Sequence, residues 1–403
     1  MNPLESELKV LVVTAQYAGD GANPWLLDDL CRELALVGHE VDVIVHDPKH
    51  GRPRGIISSG SPRVHAWSVG STKDRVGRLQ KIAGYLQAGL GLHSYGFRHI
   101  RDSSYDLCIY TSIAAFSWGF PARVRRRGIA RKLVLILWDF FPIHQLEIGR
   151  IHAGFFGGAL KAIERLAIRR ADVVALMTPA NEDFFHRYHS GLRAETVIIP
   201  PWSSSGTSAS HKVSEKLPRF TAVFGGQLVK GRGIETLLAA AARLQDTGEP
   251  IDIIIAGDGT ERRRLEADAE QRQLANVTFV GSLLRDKYRE MLAQAHIGIA
   301  ITVPGVTPPS FPSKIVEYCG VGLPVVVCVE PSSDAGDIVE QHRAGIQVSA
   351  GDADGVTNAI RTLFQEHQRG KLAEWARAAA DLYETELSTK RAVKKLEVVS
   401  KAE

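Results

Sequence analysis

Only four cysteines occur in 403 residues, no two of them in a C-x-x-C pair, and no apolar run approaches the roughly 18 residues that a membrane span needs. Cys31, Cys108, Cys319 and Cys328 lie far apart or inside apolar runs, which reads as small buried hydrophobes in a reducing compartment and excludes a disulfide scaffold or a zinc ribbon. The first residues, Met1 to Glu7, are polar and acidic rather than apolar, so a cytoplasmic location is expected. The G-x-G-x-x-G spacing of a dinucleotide site is also missing. So is any His and Asp cluster at metal-ligand spacing; the only Asp-x-Asp triplet, Asp352-Ala353-Asp354, reads as a turn before a helix, and neither a metal nor a cofactor is expected. Net charge is only +4, and no nucleic-acid partner is expected.

What is there suits a two- or three-domain α/β protein: 44% hydrophobic residues, 23% charged, and 37 glycines for tight turns. The first 200 residues hold 25 Lys and Arg against 19 Asp and Glu, and the rest hold 24 against 26, so the basic excess is N-terminal. Its densest part, Arg123 to Lys132, and the basic amphipathic pattern from Arg75 to Ile100 allow contact with an anionic membrane surface; a solvated helix end is the simpler reading of the first, and packing against its own sheet that of the second, which holds five glycines.

Apolar β-branched runs and helix-period segments alternate along the chain. Lys9 to Thr14, a helix to Val37, the Gly38-His39 break and Glu40 to Val45 make a βαβ opening. Residues 51–74 read as an irregular excursion around a short strand at Arg63 to Trp67. Asp139 and His144 follow the strand Leu133 to Trp138, where open α/β sheets bind ligands. Residues 203–218 are rich in Ser and mark a linker between domains at 1–202 and 219–385, with a last helix over 386–403. In the second domain, the glycine loop after Phe220 to Phe224 carries Gly226, Gln227, Lys230 and Arg232 and opens a helix at Gly233. Close backbone approach, a helix N-terminus and two cations suit a diphosphate.

The stretch that organises the chain is Pro308-Pro309-Ser310-Phe311-Pro312-Ser313-Lys314-Ile315-Val316-Glu317-Tyr318-Cys319-Gly320-Val321-Gly322-Leu323-Pro324. It reads as a short helix ended by glycines before a buried strand, with Glu317 as its one carboxylate, able to accept both hydroxyls of a ribose. This pattern resembles the nucleotide-sugar clamp of family 4 glycosyltransferases of the GT-B fold, especially bacterial O-antigen and capsule enzymes. That family carries two glutamates in this stretch; Glu317 matches the second, and Pro309 stands in place of the first. In the glycine loop Arg232 takes the place of the family's Lys and Gln227 that of its Arg.

The resemblance implies two facing doubly wound, Rossmann-like domains with a C-terminal helix returning to the first. It implies a retaining, metal-independent transfer of a hexose-type sugar from a UDP- or GDP-sugar to a saccharide acceptor, plausibly lipid-linked, in surface polysaccharide synthesis. On that reading Arg232, Lys230 and Asp139 serve catalysis. Gly226, Gln227, Gly257, Gly281, Ser310, Phe311, Ser313, Lys314 and Glu317 bind the donor, and Gly21, Asn23 and His144 line the acceptor side. Two alternatives stay open: a sugar-nucleotide epimerase on the same scaffold, and a non-catalytic nucleotide-binding or scaffold subunit, suggested by Pro309 and Gln227.

Overall fold

The computed structural model describes residues 7–20, 24–47, 52–70, 89–100, 104–111, 119–149, 154–204 and 215–402. The chain divides into two compact units. One comprises residues 1–177, 182–199 and 392–403; the other comprises 178–181 and 200–391.

The first unit is built on an eight-stranded sheet: β1 Lys9–Thr14, β2 Glu40–Val45, β3 Gly55–Ile57, β4 Val64–Ser68, β5 Tyr105–Thr111, β6 Ala130–Ile136, β7 Val173–Leu176 and β8 Glu195–Ile198. Their spatial order is β3-β4-β2-β1-β5-β6-β7-β8, parallel except for β3. The central strands are buried end to end (Val10, Leu11, Val12, Ile109, Val134), which is why they read as continuous apolar runs. The order reverses between β1 and β5, so the loops after those strands flank a topological switch point.

β3 is the element that the irregular reading of residues 51–74 did not separate. It is three residues long, begins at a glycine and exists by antiparallel pairing with β4, Ile56 facing Trp67 across the ladder. Pairing of that kind is tertiary and leaves no periodicity in so short a run. Most of the expected basic helix, residues 75–88, lies outside the described residues; residues 89–94 are helical.

The C-terminal helix Thr389–Lys401 belongs to the first unit from Ala392 on. Its anchorage there is specific: Glu397 Oε1 lies 2.9 Å from Nε2 of the buried His39, whose Nδ1 accepts the Leu8 amide at 3.1 Å. Lys132 Nζ donates to the Val399 carbonyl at 3.1 Å. The helix thereby closes over the first βαβ turn.

The second unit carries six parallel strands: β9 Phe220–Gly225, β10 Ile251–Ala256, β11 Val277–Gly281, β12 Ile297–Ile301, β13 Val325–Val329 and β14 Gly345–Ser349, in the order β11-β10-β9-β12-β13-β14. This is the doubly wound order, with its switch point between β9 and β12. Leu237, Leu238, Ala241 and Leu244 from one helix, and Val356, Ile360, Leu363 and Phe364 from another, pack with Ile253, Ile255, Ile297 and Ile299 of the sheet into one core. All four cysteines are free and buried. Among the described residues no helix is long and apolar enough to cross a membrane.

Candidate active site

In the second unit the switch point is closed by glycines that no other residue could replace without displacement. Gly233 has φ +72°, and a Cβ there would lie 2.3 Å from the Thr302 carbonyl oxygen, so the loop after β9 passes hard against the loop after β12. Beside it, a Cβ on Gly257 would stand 1.8 Å from the Gly226 oxygen. The Gly226 amide donates to the Ala256 carbonyl at 2.9 Å, and the Gly257 amide to the Gly281 carbonyl at 2.8 Å. Gly226, Gly257 and Gly281, far apart in sequence, thus form one row of bare backbone across the ends of β9, β10 and β11. The room that each Cβ would take is filled from within the protein, by the Gly226 oxygen at Gly257, by Arg262 Nη1 at 3.0 Å from a Cβ on Gly281 and by the Phe224 ring at 3.2 Å from one on Gly226, so these glycines let the loops pack on one another. Lys230, Arg232 and Gln227 are exposed on the first of these loops, and the helix Ile234–Asp246 starts directly behind them with its N-terminal amides and partial positive charge.

The helix Ser313–Gly320 faces this row through two consecutive residues with opposite jobs. Tyr318 is fully buried, its ring filling the space above Gly298, where a Cβ would come within 2.4 Å of it. Its phenol oxygen accepts the Gly225 amide at 2.9 Å and donates to the Ile299 carbonyl at 3.3 Å, tying the end of β9 to β12. Burial holds that phenol well above its ordinary pKa, so it stays a donor. Glu317, one step round the helix, is half-buried and pairs with Lys314, whose Nζ lies 4.5 Å from the centre of the Tyr288 ring. The Tyr288 hydroxyl sits where a Cβ on Gly225 would be, 1.9 Å away. Glu317, Lys314, Tyr288 and Gly225 therefore form one continuous cluster. Ser313 is exposed at the helix start, and Phe311 is buried.

Ser310 uses both of its backbone groups within the protein. Its amide donates to Glu330 Oε1 at 2.7 Å and its carbonyl accepts Ser333 Oγ at 2.6 Å, whereas its own hydroxyl is buried with no partner. What residue 310 has left for a ligand is its side chain.

In the first unit the loop after β1 is held by Asp28, a buried residue of the helix Leu26–Leu36. Its Oδ1 accepts the amides of Ala18 at 2.8 Å and Gly19 at 2.7 Å, and its Oδ2 that of Trp25 at 2.8 Å. Burial raises the pKa of this carboxyl, and the three amides pull it back. Trp25 packs edge-on against Trp138, centroids 5.0 Å apart, joining this loop to the one after β6. Asp139 is exposed there, and His144, half-buried on the short helix Ile143–Glu147, has Nδ1 3.4 Å from Gln145 Nε2. Gly21 and Asn23 lie outside the described residues.

Among the described residues no group of three or more His, Cys, Asp or Glu side chains is placed to hold a metal ion. Asp352 accepts the Gly355 amide at 2.8 Å as a helix cap, and Asp354 pairs with Arg243 at 2.6 Å, which is the turn that the triplet suggested.

Two family profiles cover most of the chain: "Glycosyl transferase 4-like domain" over residues 26–202 and "Glycosyl transferases group 1" over 219–366. With the fold and the row of glycines, they place the chain in a known class: it belongs to the GT-B glycosyltransferases. Curated relatives include a glycogen synthase of Mycobacterium tuberculosis, 27% identical over 56% of this chain and 54% of that protein. Another is the putative colanic acid biosynthesis glycosyl transferase WcaI of Escherichia coli, 29% identical over 52% and 54%. The matched stretch spans about half the length of these relatives. Among solved structures, a sucrose-phosphate synthase from Thermosynechococcus elongatus superposes with a TM-score of 0.74 at 16% identity over 98% of both chains. Anabaena HepE in complex with UDP-glucose does so with 0.64 at 18% identity over 98% of this chain and all of that one.

Proposed function

We propose that this protein is a retaining glycosyltransferase that moves a hexose-type sugar from a UDP- or GDP-sugar to a saccharide acceptor carried on lipid, in the synthesis of a surface polysaccharide. The observation that carries the reading is the convergence of the Gly226–Gly257–Gly281 row with the Glu317 cluster at the switch point of the second unit. Two exposed cations beside a helix N-terminus suit a diphosphate, and a half-buried carboxylate suits a ribose diol. HepE is solved in complex with UDP-glucose, and WcaI is a putative colanic acid biosynthesis glycosyl transferase, which supports the donor and product classes.

In this mechanism the protein stabilises the leaving diphosphate and the positive charge at the anomeric carbon. Arg232, Lys230 and the amides at the start of the helix Ile234–Asp246 neutralise the oxygens as the glycosidic bond breaks. Glu317 fixes the ribose. With Pro309 where a carboxylate would stand, no nucleophile of the protein is assigned; the leaving phosphate takes the proton of the attacking acceptor hydroxyl on the same face, which gives retention. Asp139 and His144 bind the acceptor on the first unit, and the reaction needs no metal. Exposed Arg126, Arg127 and Arg131 lie in the basic segment that would meet anionic lipid; Arg125 and Arg131 also pair with Asp172 and Asp106.

The test is incubation with UDP-glucose, UDP-N-acetylglucosamine, GDP-mannose and dTDP-rhamnose, with and without saccharide acceptors, followed by NMR of the products. Transfer with retained anomeric configuration is expected from one donor. Inversion, or acceptor-independent change of a UDP-sugar, would overturn the reading.

A further inference from the structure

Glu330 stands just past the carboxyl end of β13 and is completely buried. Among the described residues no Lys, Arg or His forms an ion pair with it; its carboxylate accepts Ser310 N–H at 2.7 Å through Oε1 and the Thr302 hydroxyl at 2.7 Å through Oε2. Taking a carboxyl group out of water with no cation beside it is unfavourable. An apolar side chain would fill the same space without that cost, so packing does not account for a glutamate here. Both of its donors belong to the 302–312 segment, which joins β12 to the helix Ser313–Gly320. Ser333 Oγ holds the same segment from the same strand end, donating to the Ser310 carbonyl at 2.6 Å. Ser310 is therefore gripped at both backbone groups, and its hydroxyl is left buried with no partner.

We propose that Glu330 is a positioning residue for the donor sugar: it fixes the Ser310 segment so that the Ser310 hydroxyl meets a hydroxyl of the hexose, while the nucleotide is held by Glu317 and the glycine row. The inference rests on the nucleotide-sugar reading of this unit. It separates two parts of the donor. Disturbing Glu330 costs recognition of the sugar and leaves recognition of the nucleotide in place.

The experiment compares the affinities of wild-type protein, Glu330→Leu and Glu330→Gln for UDP and UDP-glucose, and for GDP and GDP-mannose, by calorimetry. Glutamine keeps both contacts, because its oxygen accepts the Ser310 amide and its NH₂ donates to a Thr302 hydroxyl that has turned round. Expected are unchanged nucleoside-diphosphate affinity in both variants, a loss of tenfold or more in the extra affinity for the sugar nucleotide in Glu330→Leu, and recovery to within threefold of wild type in Glu330→Gln. Equal loss for nucleotide and sugar nucleotide would reduce Glu330 to a fold-stabilising role and overturn the proposal. So would no loss at all. Thr302→Val removes one donor and leaves the amide contact, and it must show the same sugar-only loss in smaller measure even where Glu330→Leu fails to fold. Failure of the underlying reading has a different signature: wild-type protein binding none of the four ligands, which would take this inference down with it.

Discussion

Replacing Tyr318 by Phe removes one oxygen from the centre of the second unit, and its two partners set the size of the effect. The Gly225 amide, 2.9 Å from that oxygen, ends β9 and begins the glycine loop; the Ile299 carbonyl, 3.3 Å away, belongs to β12. Phenylalanine fills the same space above Gly298, so no cavity opens. The cost is the stranded amide, since a buried donor left without its acceptor loses about 1–3 kcal/mol, whereas the carbonyl keeps its second lone pair for the sheet. Urea unfolding followed by tryptophan fluorescence and far-UV dichroism should place Tyr318→Phe about 1–3 kcal/mol below wild type. Nucleotide affinity should fall as well, because the amide fixes the first residue of the loop that carries Gly226. A stability change below about 0.5 kcal/mol, the ordinary range of a neutral surface substitution, would mean that this hydrogen bond does not tie β9 to β12 and that the tyrosine is only packing.

Arg232→Ala should lower kcat about 10²–10³-fold and change donor KM less, as removal of one donor to a developing oxyanion does elsewhere, with Lys230→Ala milder; wild-type turnover in both, measured at saturating donor, would move the diphosphate to another place. His46 is buried and its pKa is lowered to about 4, chiefly by loss of hydration, so the folded chain holds it neutral while the unfolded chain takes up a proton near pH 6.5. Stability should therefore fall as pH drops from about 6.5 to about 4, by at most about 3 kcal/mol from this group, and chemical denaturation of His46→Asn should show a shallower slope; parallel slopes would refute the assignment. Co-sedimentation with vesicles containing phosphatidylglycerol should be strong at 20 mM salt and weak at ~500 mM, and weaker still for Arg126, Arg127 and Arg131 replaced together by Ala; no binding at low salt would remove the membrane contact.

Much of the second unit was legible because each strand is a short apolar run and each loop is marked by glycine. Tight turns and close approaches demand that residue locally, so Gly226, Gly233, Gly257 and Gly281 could be singled out before their neighbours were known. Glu317 was legible as the one carboxylate on a short helix. Glu330 and Asp28 were not. Asp28 accepts three backbone amides, and Glu330 accepts one amide and the hydroxyl of a threonine 28 positions away, donors that nothing in the local sequence marks; only burial of the carboxylate reveals them. The role of Tyr318 was hidden for a related reason: the small residue that makes room for its ring, Gly298, is twenty positions away on another strand. The short β3 shows the same limit, since an edge strand of three residues is defined by its partner rather than by its own pattern.

In the proposed function, nucleotide sits at the switch point of the second unit with Glu317 on its ribose. The direct measurement is calorimetric binding of UDP and GDP to wild-type protein and to Glu317→Ala, with thermal unfolding of both proteins as the control on folding. A charge-assisted hydrogen bond contributes about 1.5–3 kcal/mol, so the mutant should bind the preferred nucleotide at least about tenfold more weakly while unfolding at the wild-type temperature. Equal affinity in the two proteins, or no binding of either nucleotide to wild type, would contradict it.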